Sequence, residues 1–161
     1  MRRLSFLSLC LLLALTACSA QPVQGDYQLY FPSASYVDGP ALGCEPISLG
    51  DGALPVEALV SALLSGPQDT DLYSPFPRGV ALRSWYVKDG LLHINLSEQY
   101  GGLSGISLTL ADYSIALTLC QLPGVSGVSI TVENDPIPFR YRQILSTDDV
   151  LLTDLPGDAG E

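Results

Sequence analysis

Four cysteines, one histidine and a scatter of carboxylates are the side chains with chemistry to offer in this 161-residue chain. His93 is the sole histidine, and sequence alone places no Ser or Cys nucleophile where an imidazole base would activate it. A lone histidine without Cys or carboxylate at ligand spacing is equally poor material for zinc. Asp69-Thr70-Asp71-Leu72-Tyr73 begins like a calcium loop, but the glycine and closing glutamate of such a loop are missing, so these acids read as solvated loop charge. Asn95-Leu96-Ser97 fits a glycosylation sequon, on which no weight is placed. The chain therefore reads as non-enzymatic, with no catalytic, cofactor-binding or metal-ligating residue to name. Its charge excludes another class: 17 acidic residues against 7 basic ones, a net charge of -10 and a pI near 4.2 leave no cationic footprint for a nucleic acid.

The cysteines carry more. Met1-Arg2-Arg3 is a short positive segment, Leu4 to Leu15 is apolar, and Leu15-Thr16-Ala17-Cys18 closes the run. About a dozen apolar residues are too few for a bilayer core of about 30 Å, so residues 1–17 read as a secretory signal rather than a membrane span. The closing tetrapeptide resembles the bacterial lipobox, which implies a diacylglyceryl thioether on Cys18, cleavage before it, and a protein held at the extracytoplasmic face of the cell membrane. The alternative is an ordinary signal cut near Ala17 or Ala20, leaving a free secreted protein. Without Arg2 and Arg3, five basic residues remain against the 17 acidic ones, a net charge of -12. Anionic lipid repels such a body, so the acyl chains must do the anchoring. Residues 18–26 form a polar tether. Cys10 leaves with the signal, and Cys44 and Cys120 remain. In an oxidising compartment a leftover pair points to a disulfide, worth about 4 kcal/mol in the chain-entropy model; two independently buried thiols are the other reading.

The positioning elements follow from pattern. Tyr27 to Phe31 is a short strand ended by Pro32, and Leu42 to Leu49 a second, edge-like one containing Gly43 and Pro46. Pro55 to Ser65 has Val56, Leu59, Val60 and Leu63 at helical spacing and stops at Gly66-Pro67. Residues 68–79 form a Pro-rich loop around Tyr73 and Phe76. Leu82–Lys88 and Leu91–Leu96 flank Asp89-Gly90, a strong two-residue hairpin signal. That turn sets Val87 opposite Leu92, Trp85 opposite Ile94 and Arg83 opposite Leu96 on a core face, with Tyr86 opposite His93 and Ser84 opposite Asn95 on a polar face. Ile106 to Leu122 is a helix with an apolar surface wide enough to lie under a sheet, and Val125 to Val132 a last strand. Five acidic residues follow Phe139, so residues 136–161 read as an acidic tail that frays at its end. The class is α+β: a small mixed sheet of about five strands with two helices packed on one face.

Leu63-Leu-Ser-Gly-Pro67, Ser74-Pro-Phe-Pro-Arg-Gly79, Val87 through Ser97 and Leu119 through Val128, with Tyr30-Phe31-Pro32 ahead of them, resemble in order and spacing the GerMN domain, the sporulation and spore germination module. The resemblance covers residues 27–135. It implies a fold similar to the ring-building motifs of secretion machineries, no catalytic residues, and a place on lipoproteins of Gram-positive bacteria. Proteins of this family act outside the membrane in assembly of a sporulation complex or beside sensor kinases. This chain has one copy where the sporulation protein has two. Two functions compete. One is a lipid-anchored interaction module that docks on an envelope or sporulation protein. The other is a small-ligand or glycan-binding lipoprotein using Tyr73, Phe76 and the Tyr86/His93 face; a deep pocket shared by Tyr73, Phe76 and Tyr86 would favour it. An envelope hydrolase is the weakest reading.

Overall fold

A computed structural model describes residues 26–35, 41–50, 52–138, 140 and 142–150; the signal, Cys18, nearly all of the tether and residues 151–161 lie outside them. Asp89 and Gly90, with φ of 52° and 78°, make the left-handed two-residue turn whose twist suits a hairpin. It joins β3 (Leu82–Lys88) to β4 (Leu91–Leu96). Val87 pairs with Leu92, Tyr86 with His93, Trp85 with Ile94 and Ser84 with Asn95, as alternation predicts. One pair departs from that expectation. A bulge between Leu82 and Ser84 places Leu82, not Arg83, opposite Leu96. Strict alternation would point the Arg83 guanidinium into the core, where an unpaired charge is costly; the extra residue lets it turn outward to Glu133, 3.3 Å away.

β4 continues into a parallel partner, β5 (Gly127–Val132), with Leu92 beside Val128 and Ile94 beside Ile130. A parallel pair needs a crossover, and α2 (Gly105–Leu119) lies within it. The far side of β5 takes two short antiparallel strands, β6 (Asp135–Pro136) and β7 (Ile144–Leu145). The mixed sheet thus has five strands. β1 (Asp26–Pro32) and β2 (Leu42–Ser48) pair antiparallel as a separate two-stranded sheet. The other edge of β1 meets polar side chains from α2 and the turn after it. Gln28 N–H donates to Gln121 Oε1 (2.9 Å), Gln121 Nε2 donates back to the Gln28 carbonyl (2.7 Å), and Tyr30 N–H donates to Thr118 Oγ1 (3.1 Å). A helix therefore satisfies the backbone that another strand would otherwise have to pair.

α1 (Pro55–Ser65) buries Val56, Leu59, Val60 and Leu63, the stripe its spacing predicts. α2 ends at Leu119, three residues short of the expected Leu122; the residue preceding Pro123 is driven out of the helical region, and the chain leaves the helix ahead of it. Its Ala111, Ile115, Ala116 and Leu119 join Leu92, Ile94, Leu96, Val128 and Ile130 in the main core, while Leu117 packs in a second cluster with Leu42 and Val150. Packing on two sides accounts for the breadth of its apolar surface. At the edge strand the cover thins: Trp85 packs against the core only in part, with its Nε1 donating to Glu57 on α1 (3.0 Å), and Val87, expected inward, is 49% exposed.

The segment after residue 135, expected as an acidic tail fraying at its end, packs on the domain as far as residue 150. Ile137, Leu145 and Val150 are buried and β7 is a strand of the sheet. β5 would otherwise present an open edge at Val128 and Ser129, and the return of the chain closes it.

Candidate functional site

The apolar side chains of β3, β4 and β5 turn toward the helices, so alternation presents Ser84, Tyr86, His93, Asn95, Ser129 and Thr131 on the opposite face. Tyr86 and His93, directly opposed across the hairpin, stack with ring centroids 4.4 Å apart and planes 10° from parallel. Tyr86 remains 57% exposed. Asn95, expected on the solvent face, is buried: its Oδ1 accepts from Asn134 N–H (2.8 Å) and Thr131 Oγ1 (3.2 Å), and its Nδ2 donates to Asn134 Oδ1 (3.1 Å). The β5–β6 turn, with Glu133 and Asn134 at φ of 48° and 73°, folds back over the sheet and covers it. Beside the two rings these groups leave a recess of ≈160 Å³ bounded by Ser84, Tyr86, His93, Asn95, Thr131 and Asn134.

Tyr73 and Phe76 line a different cavity, of ≈280 Å³, with Pro75 and Pro77 from the loop, Leu103 just ahead of α2 and Leu110 within it. Phe76 stacks on Tyr100 at 6.4 Å. The three aromatic residues that a single deep pocket would need are thus divided between two shallow sites. The loop acids serve the loop itself: Asp69 Oδ1 accepts from Asp71 N–H (2.8 Å), and the Glu45 carboxylate accepts from Gln68 and Asp69 N–H (both 2.9 Å). Among the described residues, no group of three or more His, Cys, Asp or Glu is placed to hold a metal.

A buried polar cluster was not foreseen from the sequence. Arg140 Nη2 and Tyr100 Oη both donate to Asp112 Oδ1, at 2.6 and 2.7 Å, and Arg140 Nη1 donates to the Ile130 carbonyl at 3.0 Å. Burial pushes the Asp112 carboxyl above its ordinary value, against the opposing pull of Arg140 and Tyr100. Burial, then the Asp112 charge, pushes the Tyr100 phenol well up. Asp112 is the only charged residue of α2, which is the one signal of a buried partner that the sequence carries.

The bridge expected between Cys44 and Cys120 is absent: both are free thiols. Each has its own surroundings. Cys44 lies opposite Tyr30 on the β1–β2 ladder, and burial raises its thiol. Cys120 caps α2, where burial raises its thiol and the Thr147 backbone opposes the rise.

Comparison with known proteins places this geometry. No curated protein matches the chain at a significant level. Among solved structures, the tandem GerMN domains of the sporulation protein GerM from Bacillus subtilis superpose with a TM-score of 0.57 at 20% identity over 73% of this chain, which spans 43% of that one. The first GerMN domain of the same protein gives 0.64 at 14% identity, with 78% of this chain and 99% of that one covered. A candidate lipoprotein from Clostridium perfringens gives 0.51 at 25% identity over 81% and 93%. The Germane family model, described as sporulation and spore germination, matches residues 28–138. With that match spanning most of the chain and the α+β fold shared, the chain belongs to the Germane (GerMN) family.

Proposed function

We propose that this chain is a non-catalytic interaction module, anchored by lipid on Cys18 at the outer face of the cell membrane, that docks on another envelope or sporulation protein. The observation that carries the reading is the division of the aromatic residues between two shallow sites, with an apolar ledge around one of them. Tyr73 is 42% exposed, and Ile106, in the first turn of the helix that supplies Ser107 and Leu110 to the wall of that cavity, is 76% exposed. Large apolar side chains held out in water near a shallow apolar recess are the anatomy of a protein-docking surface rather than of an enclosed ligand site. Family membership and the likeness to a candidate lipoprotein support the setting. Among the described residues no helix is long and apolar enough to cross a membrane.

The test has two arms. Full-length protein carrying Cys18→Ala should leave the membrane fraction and lose the mass of the lipid; unchanged fractionation and mass would remove the anchor. A photo-crosslinking residue at position 106 should capture one discrete envelope protein, and Ile106→Lys should weaken its binding to the purified partner. Crosslinks no more specific than those from the exposed Ser61 position on α1 would remove the docking surface.

A further inference from the structure

The recess beside the Tyr86–His93 stack has a chemistry that the docking ledge lacks. We infer that it is a subsite for one neutral pyranose ring of an extended saccharide. Three observations converge. First, Tyr86 is an exposed ring with a fixed neighbour: it is stacked on His93 at 4.4 Å and is still 57% exposed. A fixed aromatic surface costs little entropy to bring to a ligand, and its π face suits the C–H face of a sugar.

Second, beside Tyr86 and Ile94 the recess is lined by the hydroxyls and amides of Ser84, Asn95, Thr131 and Asn134 and the imidazole of His93, with no Asp, Glu, Lys or Arg among the described residues that bound it. Hydroxyls and amides both donate and accept, which matches a polyol. A phosphate or carboxylate would seek Arg, Lys or a row of backbone amides, and a cation would seek carboxylates; neither is present here. The Asn95–Asn134–Thr131 bonds hold the amides in place before any ligand arrives, so little ordering is required on binding.

Third, the size is restrictive. At ≈160 Å³ the recess is well below the roughly 300 Å³ at which sites for whole drug-sized ligands begin. It is not fully enclosed, and β3, which carries Ser84 and Tyr86 of its lining, pairs among the described residues only with β4. One ring fits, and the rest of a chain lies outside. The acidic body disfavours anionic polymers in general, and a neutral glycan is not subject to that repulsion.

The single histidine makes the test direct. The isotope-labelled full chain in detergent micelles is titrated with the β-1,4-linked trimer of N-acetylglucosamine and, separately, the β-1,4-linked trimer of glucose, while the His93 ring signals and the backbone amides are followed by NMR. Saturable shifts at His93 and at the amides of Ser84, Asn95 and Asn134 with at least one trimer are expected. Tyr86→Ala should weaken that binding roughly tenfold, Tyr86→Phe should retain most of it, and Tyr73→Ala, in the other cavity, should leave it unchanged. No shift with either trimer at tens of millimolar overturns the assignment, as does equal binding by Tyr86→Ala. Shifts confined to the outward amides of β3 with His93 unmoved would show strand addition at the free edge instead, and would also overturn it. Because the interaction ledge lies on the other cavity, loss of one site leaves the other standing.

Discussion

Replacing Arg140 tests whether the segment after residue 135 belongs to the domain. Its side chain is 4% exposed, and that of Asp112 is 5% exposed. Arg140→Met keeps much of the volume, but it leaves the Asp112 carboxylate buried with only the Tyr100 hydroxyl and leaves the Ile130 carbonyl without its donor. Removing one member of a buried pair costs about 3–5 kcal/mol, a large part of the roughly 5–15 kcal/mol that holds a small domain together. Trp85 is the single tryptophan and sits where the edge strand meets α1, so urea unfolding followed by its fluorescence reads the loss. Asp112→Asn in the Arg140→Met background removes the stranded charge while still accepting from Tyr100, and should recover about 2 kcal/mol or more. A pH signature accompanies this. Burial already raises the Asp112 carboxyl, and without Arg140 it rises further. A carboxyl whose pKa is higher in the folded than in the unfolded state costs stability above its folded pKa, and that cost fades as pH falls through it. The deficit of Arg140→Met relative to the parent should therefore shrink from neutral pH toward about pH 4. A deficit under about 1 kcal/mol at neutral pH, or one that does not change with pH, would refute the buried-pair reasoning.

Thr118→Val should cost about 1–3 kcal/mol by leaving the Tyr30 N–H without its acceptor; an unchanged urea midpoint would show that water replaces the hydroxyl. Trp85→Ala should cost near the lower end of roughly 3–5 kcal/mol, since the indole is only partly buried. His93→Ala should cost about 0.5–1.5 kcal/mol through the lost Tyr86 stack. A larger loss for His93→Ala than for Trp85→Ala would reverse the assignment of the two sheet faces. Unreduced protein should show the Cys44 and Cys120 thiols as free and slow to alkylate near neutral pH, because burial raises both. Their folded pKa values lie above the unfolded one, so this contribution to stability is lost as pH rises beyond about 8.5. Absence of titratable thiol at Cys44 and Cys120 would mean that the bridge forms after all.

What the sequence alone determined is what acts over a few residues. Asp89-Gly90 dictated the hairpin and its near-turn register because both turn positions need left-handed backbone, which Gly adopts freely and Asp tolerates. Pro55 and Gly66 bracketed α1, and the 3.6-residue spacing of its apolar positions named the buried face. Tertiary structure decided the features whose partners are remote. Arg83 reads as a core position by alternation, and the Glu133 carboxylate, 50 residues on and partly exposed, makes a bulge that turns the guanidinium outward the better solution. Asn95 reads as surface until the turn at Asn134, 39 residues on, covers it. Gln121 and Thr118 cap β1 across 93 and 88 residues, and this separates β1 and β2 from the main sheet. Arg140 reads as tail until Asp112, 28 residues earlier, supplies a buried charge to meet it. The same distinction governs the two cysteines. A count of thiols constrains which pairs can exist, but a bridge requires two Cβ atoms within about 4.5 Å, and packing set Cys44 against Tyr30 and Cys120 against Thr147 instead. Local pattern fixes an element because its periodicity and turn chemistry are properties of the element itself. Which faces meet, and which charges are left to pair, depend on every other surface buried at the same time.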